Sequence, residues 1–132
     1  MICLDSSFII DILRKKPDAV KLFDNIKKDS YFTAIINVYE LMAGVYAAKD
    51  KNHEKHIKIL NEFLANIQVL QLDSISIEYS SKINEELSLK GQIIDDLDIL
   101  IAGMCLSNNC NKIITKNTKH FSRIKGLEVI GY

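Results

Sequence analysis

Four polar residues stand in apolar surroundings: Asp5 in MICLDSSFII, Glu40 in TAIINVYELMAG, Asp98 in IIDDLDILIAG and Asn117 in KIITKNTKHF. Leaving one buried carboxylate unpaired costs on the order of several kcal/mol, so a shared partner for all four is the economical solution. A bound cation is such a partner, and a set built only from oxygen donors suits Mg²⁺ or Mn²⁺ and not zinc. Asp5, Glu40 and Asp98 are therefore candidate metal ligands, with Asn117 an auxiliary or water-bridged fourth. Around one or two divalent ions, such a set can hold a phosphodiester, activate a water and stabilise the leaving oxygen. No nucleophilic side chain is needed, and no GxSxG, Walker or GxGxxG motif offers a rival chemistry.

Each of the four also has a plainer reading. Asp5 alone reads as a helix N-cap, and Asn117 alone as a turn residue. Asp98 lies in an acidic helix start with Asp95 and Asp96, which by itself could serve the helix dipole. Those three aspartates repel one another unless a cation is near. Asp98 shares a helix face with Ile101, Ala102 and Cys105, whereas Asp96 falls at the rim as an auxiliary group. Glu40 shares its face with Ile36, Ala43, Gly44 and Ala47, and those small residues predict close packing against another element. The hydroxyls of Ser6, Ser7, Thr115 and Thr118 flank Asp5 and Asn117, where Ser6 and Thr115 are candidate orienting groups. Lys116, Lys119, His120, Arg123 and Lys125 form a basic cluster about the last motif, joined by Arg14, Lys15 and Lys16. Of these, Lys116, Lys119, Arg123 and Arg14 are candidate contacts to a polyanionic substrate, although a solvated surface has the same composition.

Positioning these residues requires elements that end at a common edge. Residues 1–4 read as a buried strand, followed by a helix from Asp5 or Ser6 with Phe8, Ile9, Ile12 and Leu13 at helical spacing. Pro17 opens a second helix. Strands are expected at 31–33, 67–72, 112–115 and 128–130, the last at an edge, and helices at 35–49, from about 55 to 64, at 73–90 and at 95–107. A short turn or helical piece follows at 117–121. This alternation implies an α/β fold, a three-layer α/β/α sandwich around a mostly parallel sheet of four to five strands. In such sheets ligands gather beyond the carboxyl ends of the strands. Asp5 follows the first strand and Asn117 the fourth, so both should reach one edge.

Composition sets the outer bounds. A chain of 132 residues is expected to form one domain over 1–132. Seventeen basic and seventeen acidic residues cancel, which argues against a nucleic-acid binder driven by bulk positive charge but leaves room for an enzyme whose metal supplies the charge locally. The three cysteines, Cys3, Cys105 and Cys110, form no CxxC pair, and Cys3 and Cys105 read as core packing. His53 and His56 lie in a lysine-rich polar stretch and read as surface. A signal peptide and a membrane span are both absent from the pattern, so a cytoplasmic location is expected.

The same residues carry a family resemblance along essentially the whole chain. LDSSFIIDILR, NVYELMAG, DLDILIAG and TKNTKHF occur in the order and at spacings similar to the four blocks of PIN-domain proteins, and within them the VapC-type toxins of toxin–antitoxin pairs. The resemblance selects Asp98 over Asp96. Two positions depart from it: Ser7 stands where asparagine is usual, and Asn117 where many members carry aspartate. It implies Mg²⁺- or Mn²⁺-dependent endoribonuclease activity, dimerisation and inhibition by a small antitoxin. One fewer negative ligand should weaken a second ion more than the first. Two alternatives stay open: a catalytically weak or inactive PIN-like module that binds RNA or protein, and a phosphoesterase acting on DNA. Val45, Tyr46, Ile57, Ile59, Leu60, Phe63 and Leu64 could form a partner or dimer face, or ordinary core.

Overall fold

The computed structural model describes all 132 residues. Its strands are β1 (Ile2–Leu4), β2 (Tyr31–Ala34), β3 (Gln68–Leu70), β4 (Lys112–Ile114) and β5 (Glu128–Ile130). The helices are α1 (Ser6–Leu13), α2 (Pro17–Ile26), α3 (Ile35–Ala47), α4 (His53–Leu64), α5 (Ser74–Leu89), α6 (Asp96–Ser107) and α7 (Thr118–Phe121). The sheet is parallel throughout, in the order β3-β2-β1-β4-β5. The chain builds outward from β1 through β2 to β3, then returns to the other side of β1 as β4. The switch in direction therefore lies between β1 and β4.

Strand alternation sorts side chains onto two faces. Cys3, Phe32 and Ile113 pack with α5, α6 and the segment after α7. Ile2, Leu4 and Ile114 pack with Phe8 and Ile9 of α1, Ala19 and Ile26 of α2, Leu41 of α3 and Leu60 of α4. The helix α3 contributes to both sides, through Ile35 and Ile36 on one and Leu41 and Met42 on the other. It thus passes around the sheet at the strand ends. All three cysteines are buried and unbonded.

Local signals explain most boundaries. Pro17 sits in the first turn of α2, and Asp73 caps α5 by accepting from the Ser76 amide at 2.8 Å. Gly91, at φ +64°, ends α5 in a backbone region that favours glycine. The strand expected over 67–72 is shorter, Gln68–Leu70, and α3 stops at Ala47 rather than 49. The small-residue face of α3 is corrected outright: Ala43, Gly44 and Ala47 are exposed, and a Cβ built on Gly44 would meet nothing within 4 Å. Small side chains permitted close packing there, but α3 has already left the sheet by those residues.

Candidate active site

Asp5 and Thr115 follow directly on the paired strands β1 and β4, where Leu4 lies beside Ile114. The Asp5 amide donates to the Ile114 carbonyl at 3.1 Å, which extends the ladder to the strand ends. Asp5 occupies the N-cap position of α1 but makes no capping hydrogen bond. That duty falls to Asn37 of α3, whose Oδ1 accepts from the Ser6 amide at 3.2 Å. Asn37 is fully buried, and its Nδ2 donates to the Leu4 carbonyl and to Thr33 Oγ1, both at 3.2 Å. One amide therefore ties β1, β2 and α1 together and releases the Asp5 carboxylate for other partners. Those partners are Ser7 and Thr115, which donate to its Oδ2 at 2.6 and 2.7 Å.

Glu40 lies one turn beyond Asn37 on α3, half-buried. Its Oε2 accepts from Ser6 Oγ at 2.8 Å. Burial pushes its carboxyl above the usual carboxylate range; the Ser6 hydrogen bond opposes this, and the charges of Asp5, Asp98 and Asp95 add to it. Asp98 is only 8 % exposed at the start of α6. Burial raises its pKa as well, with the His120 hydrogen bond opposing and the Asp5 charge adding. Its Oδ2 lies 2.7 Å from Asn117 Nδ2 and 2.6 Å from His120 Nδ1. Asp95 caps α6 through the Leu97 amide at 2.9 Å, and Asp96 is exposed at the rim. The three aspartates thus occupy three different environments.

The carboxylates share a pattern. In each of Asp5, Glu40 and Asp98, one oxygen is engaged by protein donors and no hydrogen bond takes the other. The three charges are close enough for Asp5 to act on both Glu40 and Asp98. As placed, no three acid, histidine or cysteine side chains close on a single point. The donor chemistry nonetheless fits a hard divalent ion: it is anionic, rich in oxygen, partly desolvated and mutually repelling.

Around this centre the structure distributes the basic residues unevenly. Lys116 and Lys16 both pair with Asp11 of α1, the latter at 2.8 Å, and Tyr132 Oη donates to the same carboxylate at 3.1 Å. Arg123 Nη1 lies 3.4 and 3.3 Å from the carbonyls of Gln92 and Ile93. Arg14 and Lys119 enter no ion pair. Sequence reasoning grouped His120 with the surface cations and passed over Asn37. Asn37 did carry a signal, an amide in an apolar helix three residues before Glu40. His53, expected at the surface, instead packs its ring against Tyr46, and its Nε2 is buried without a partner.

Comparison with known proteins agrees with this geometry. The PIN domain family model matches residues 2–127. The chain is 28 % identical over 124 residues to a protein of Shigella flexneri named tRNA(fMet)-specific endonuclease VapC, covering 94 % of this chain and 92 % of that one. It is 29 % identical over 128 residues to Ribonuclease VapC2 of Rickettsia felis, again covering 94 % and 92 %. Among solved structures, VapBC2 of Rickettsia felis bound to a DNA fragment from its promoter superposes with a TM-score of 0.87 at 27 % identity, over 100 % of this chain and 99 % of that one. On the match over nearly its full length, the chain belongs to the PIN-domain family.

Proposed function

We propose that this protein is a divalent-metal-dependent endoribonuclease and the toxin of a toxin–antitoxin pair. The observation that carries the reading is that Asp5 at the β1–β4 switch point, Glu40 on α3 and Asp98 at the start of α6 each keep an oxygen that no protein donor takes, with the charge of Asp5 acting on the other two. Asp5, Asp98 and Glu40 would hold Mg²⁺ or Mn²⁺. A cation bound there supplies Lewis acidity toward a phosphodiester oxygen and lowers the pKa of the attacking water. Ser7 and Thr115 fix the Asp5 carboxylate, Ser6 fixes Glu40, and Asn117 with His120 fixes Asp98. Arg14 and Lys119, free of ion pairs, contact the flanking phosphates, with Lys116 and Arg123 contributing charge from fixed positions. The VapC names of the relatives support RNA as the substrate, and their VapBC complexes support an antitoxin partner. The open face of α3 and α4, with Tyr39 62 %, Tyr46 63 % and Ile59 39 % exposed, is suited to that partner or to a second copy of the chain.

The test is cleavage of a structured RNA panel by the purified protein with Mn²⁺ or Mg²⁺ and with EDTA, beside Asp5→Asn and Asp98→Asn. Metal-dependent cutting that both folded variants lose supports the assignment. A wild type that binds RNA but neither metal nor shows turnover would make it a non-catalytic PIN-like module.

A further inference from the structure

Asn37 grips the chain on both sides of Asp5. Its Oδ1 accepts from the Ser6 N–H at 3.2 Å, and its Nδ2 donates to the Leu4 carbonyl at 3.2 Å. These two partners fix which way the buried amide faces, because a carbonyl needs a donor and an N–H an acceptor. A neighbouring parallel strand pairs in the same manner, donating to the carbonyl before a residue and accepting from the amide after it. Asp5 itself is extended, at φ −73° and ψ 156°, and its own N–H donates to the Ile114 carbonyl of β4 at 3.1 Å. Its backbone is therefore paired on both sides, by β4 on one and, where β2 has ended at Ala34, by the Asn37 side chain on the other.

The same helix supplies Glu40, whose Oε2 accepts from Ser6 Oγ at 2.8 Å. Ser6 is thus held twice from α3, at its N–H by Asn37 and at its hydroxyl by Glu40. We propose that Asn37 is a positioning residue for the cation site, fixing the backbone of Asp5 against α3 and so setting where the Asp5 carboxylate stands relative to Glu40. This rests on the metal-dependent reading above. Thr33 provides the contrast. It is as fully buried as Asn37 and its Oγ1 donates to the same Leu4 carbonyl at 2.8 Å, but its side chain makes no hydrogen bond to Ser6. Losing the Thr33 hydroxyl weakens the fold while the Asn37 bridge across Asp5 remains, whereas losing the Asn37 amide weakens the fold and frees the bridge together.

The experiment is a Mn²⁺ titration of the full chain, followed by the electron paramagnetic resonance signal of the free ion, with urea unfolding beside it. It compares the wild type with Asn37→Leu, Asn37→Ser and Thr33→Val. Both Asn37 variants are expected to raise the Kd for Mn²⁺ by about tenfold or more. Thr33→Val should unfold at lower urea than the wild type yet keep the wild-type Kd. Folded Asn37 variants that bind Mn²⁺ as the wild type does overturn the positioning role alone, and so does an equal loss of affinity in Thr33→Val. If neither Asn37 variant folds, the residue is structural and the positioning role is likewise overturned. A folded wild type that binds no Mn²⁺ overturns it together with the metal-dependent reading.

Discussion

Asp98 is held by the fold at a cost to the fold. Burial and the neighbouring Asp5 charge raise its pKa, so the ionised form is disfavoured relative to the unfolded chain, and the penalty shrinks as pH falls through the folded value. Asp98→Asn is expected to abolish RNA cleavage, by at least ~10³-fold, while leaving thermal stability at pH 7 unchanged or raised by up to about 1 kcal/mol. Thermal melts in a series stepped down from pH 7 check the sign, since any gain over wild type should narrow as the pH falls into the carboxylate range. A variant that is unfolded by circular dichroism would mark Asp98 as structural. Asp5, Glu40, Asp98 and Asn117 were legible in the sequence because each interrupts or borders an apolar run. Asn37 and His120 were not singled out, for opposite reasons. Asn37 does its work chiefly through the Ser6 amide and the Leu4 carbonyl, which only the fold brings near. His120 sits among lysines, and its neighbour Asp98 is 22 residues away in the chain.

At the level of elements, α5 and α6 meet so closely that Gly103 has no room for a side chain. A Cβ there would collide with Ser80 Oγ and lie 2.8 Å from both the Ser76 carbonyl and the Ser80 amide nitrogen. The hydroxyl could rotate away but the backbone atoms cannot. Gly103→Ala is expected to destabilise by roughly 3 kcal/mol, measured by urea unfolding, despite alanine's better helix propensity. A second element-level contact fastens the C-terminus to α1. Burial by itself would raise the pKa of Asp11, but Lys116, Lys16 and the Tyr132 hydroxyl outweigh it and bring the group down to about 2. A depressed carboxylate stabilises above its unfolded pKa, and this is lost as pH falls from about 4 toward 2. Wild type should therefore exceed Asp11→Asn by about 1–2 kcal/mol at pH 6, since the lysines stay half-exposed, and the gap should close within that acid window. The periodicity of the helices was readable in advance. The open face of α3 was not, because side-chain size shows what could pack closely, and only the path of α3 around the sheet decides whether anything does.

The whole molecule carries no net charge, with seventeen basic residues against seventeen acidic ones. Long-range attraction for RNA is accordingly weak, and under the proposed function affinity comes from the bound cation and a few basic side chains. The structure reduces those few further. Lys116 is committed to Asp11 and Arg123 to two backbone carbonyls, which leaves Arg14, at the C-terminal end of α1, and Lys119 as the two candidate contacts without an ion-pair partner. For a single-stranded substrate each neutralised phosphate contributes about −0.7 to the slope of log affinity against log salt concentration. Two such contacts give a slope near −1.4, shallow for a nucleic-acid enzyme. Fluorescence anisotropy of a labelled RNA across a salt series should return that value with the Asp5→Asn protein, which binds without cutting. Arg14→Ala and Lys119→Ala should each flatten the slope by about 0.7, and Lys125→Ala should leave it unchanged. A much steeper wild-type slope would mean that the substrate reaches well beyond the β1–β4 edge. A second copy or partner docked on the exposed face of α3 and α4 would then be the place to look for the missing charge.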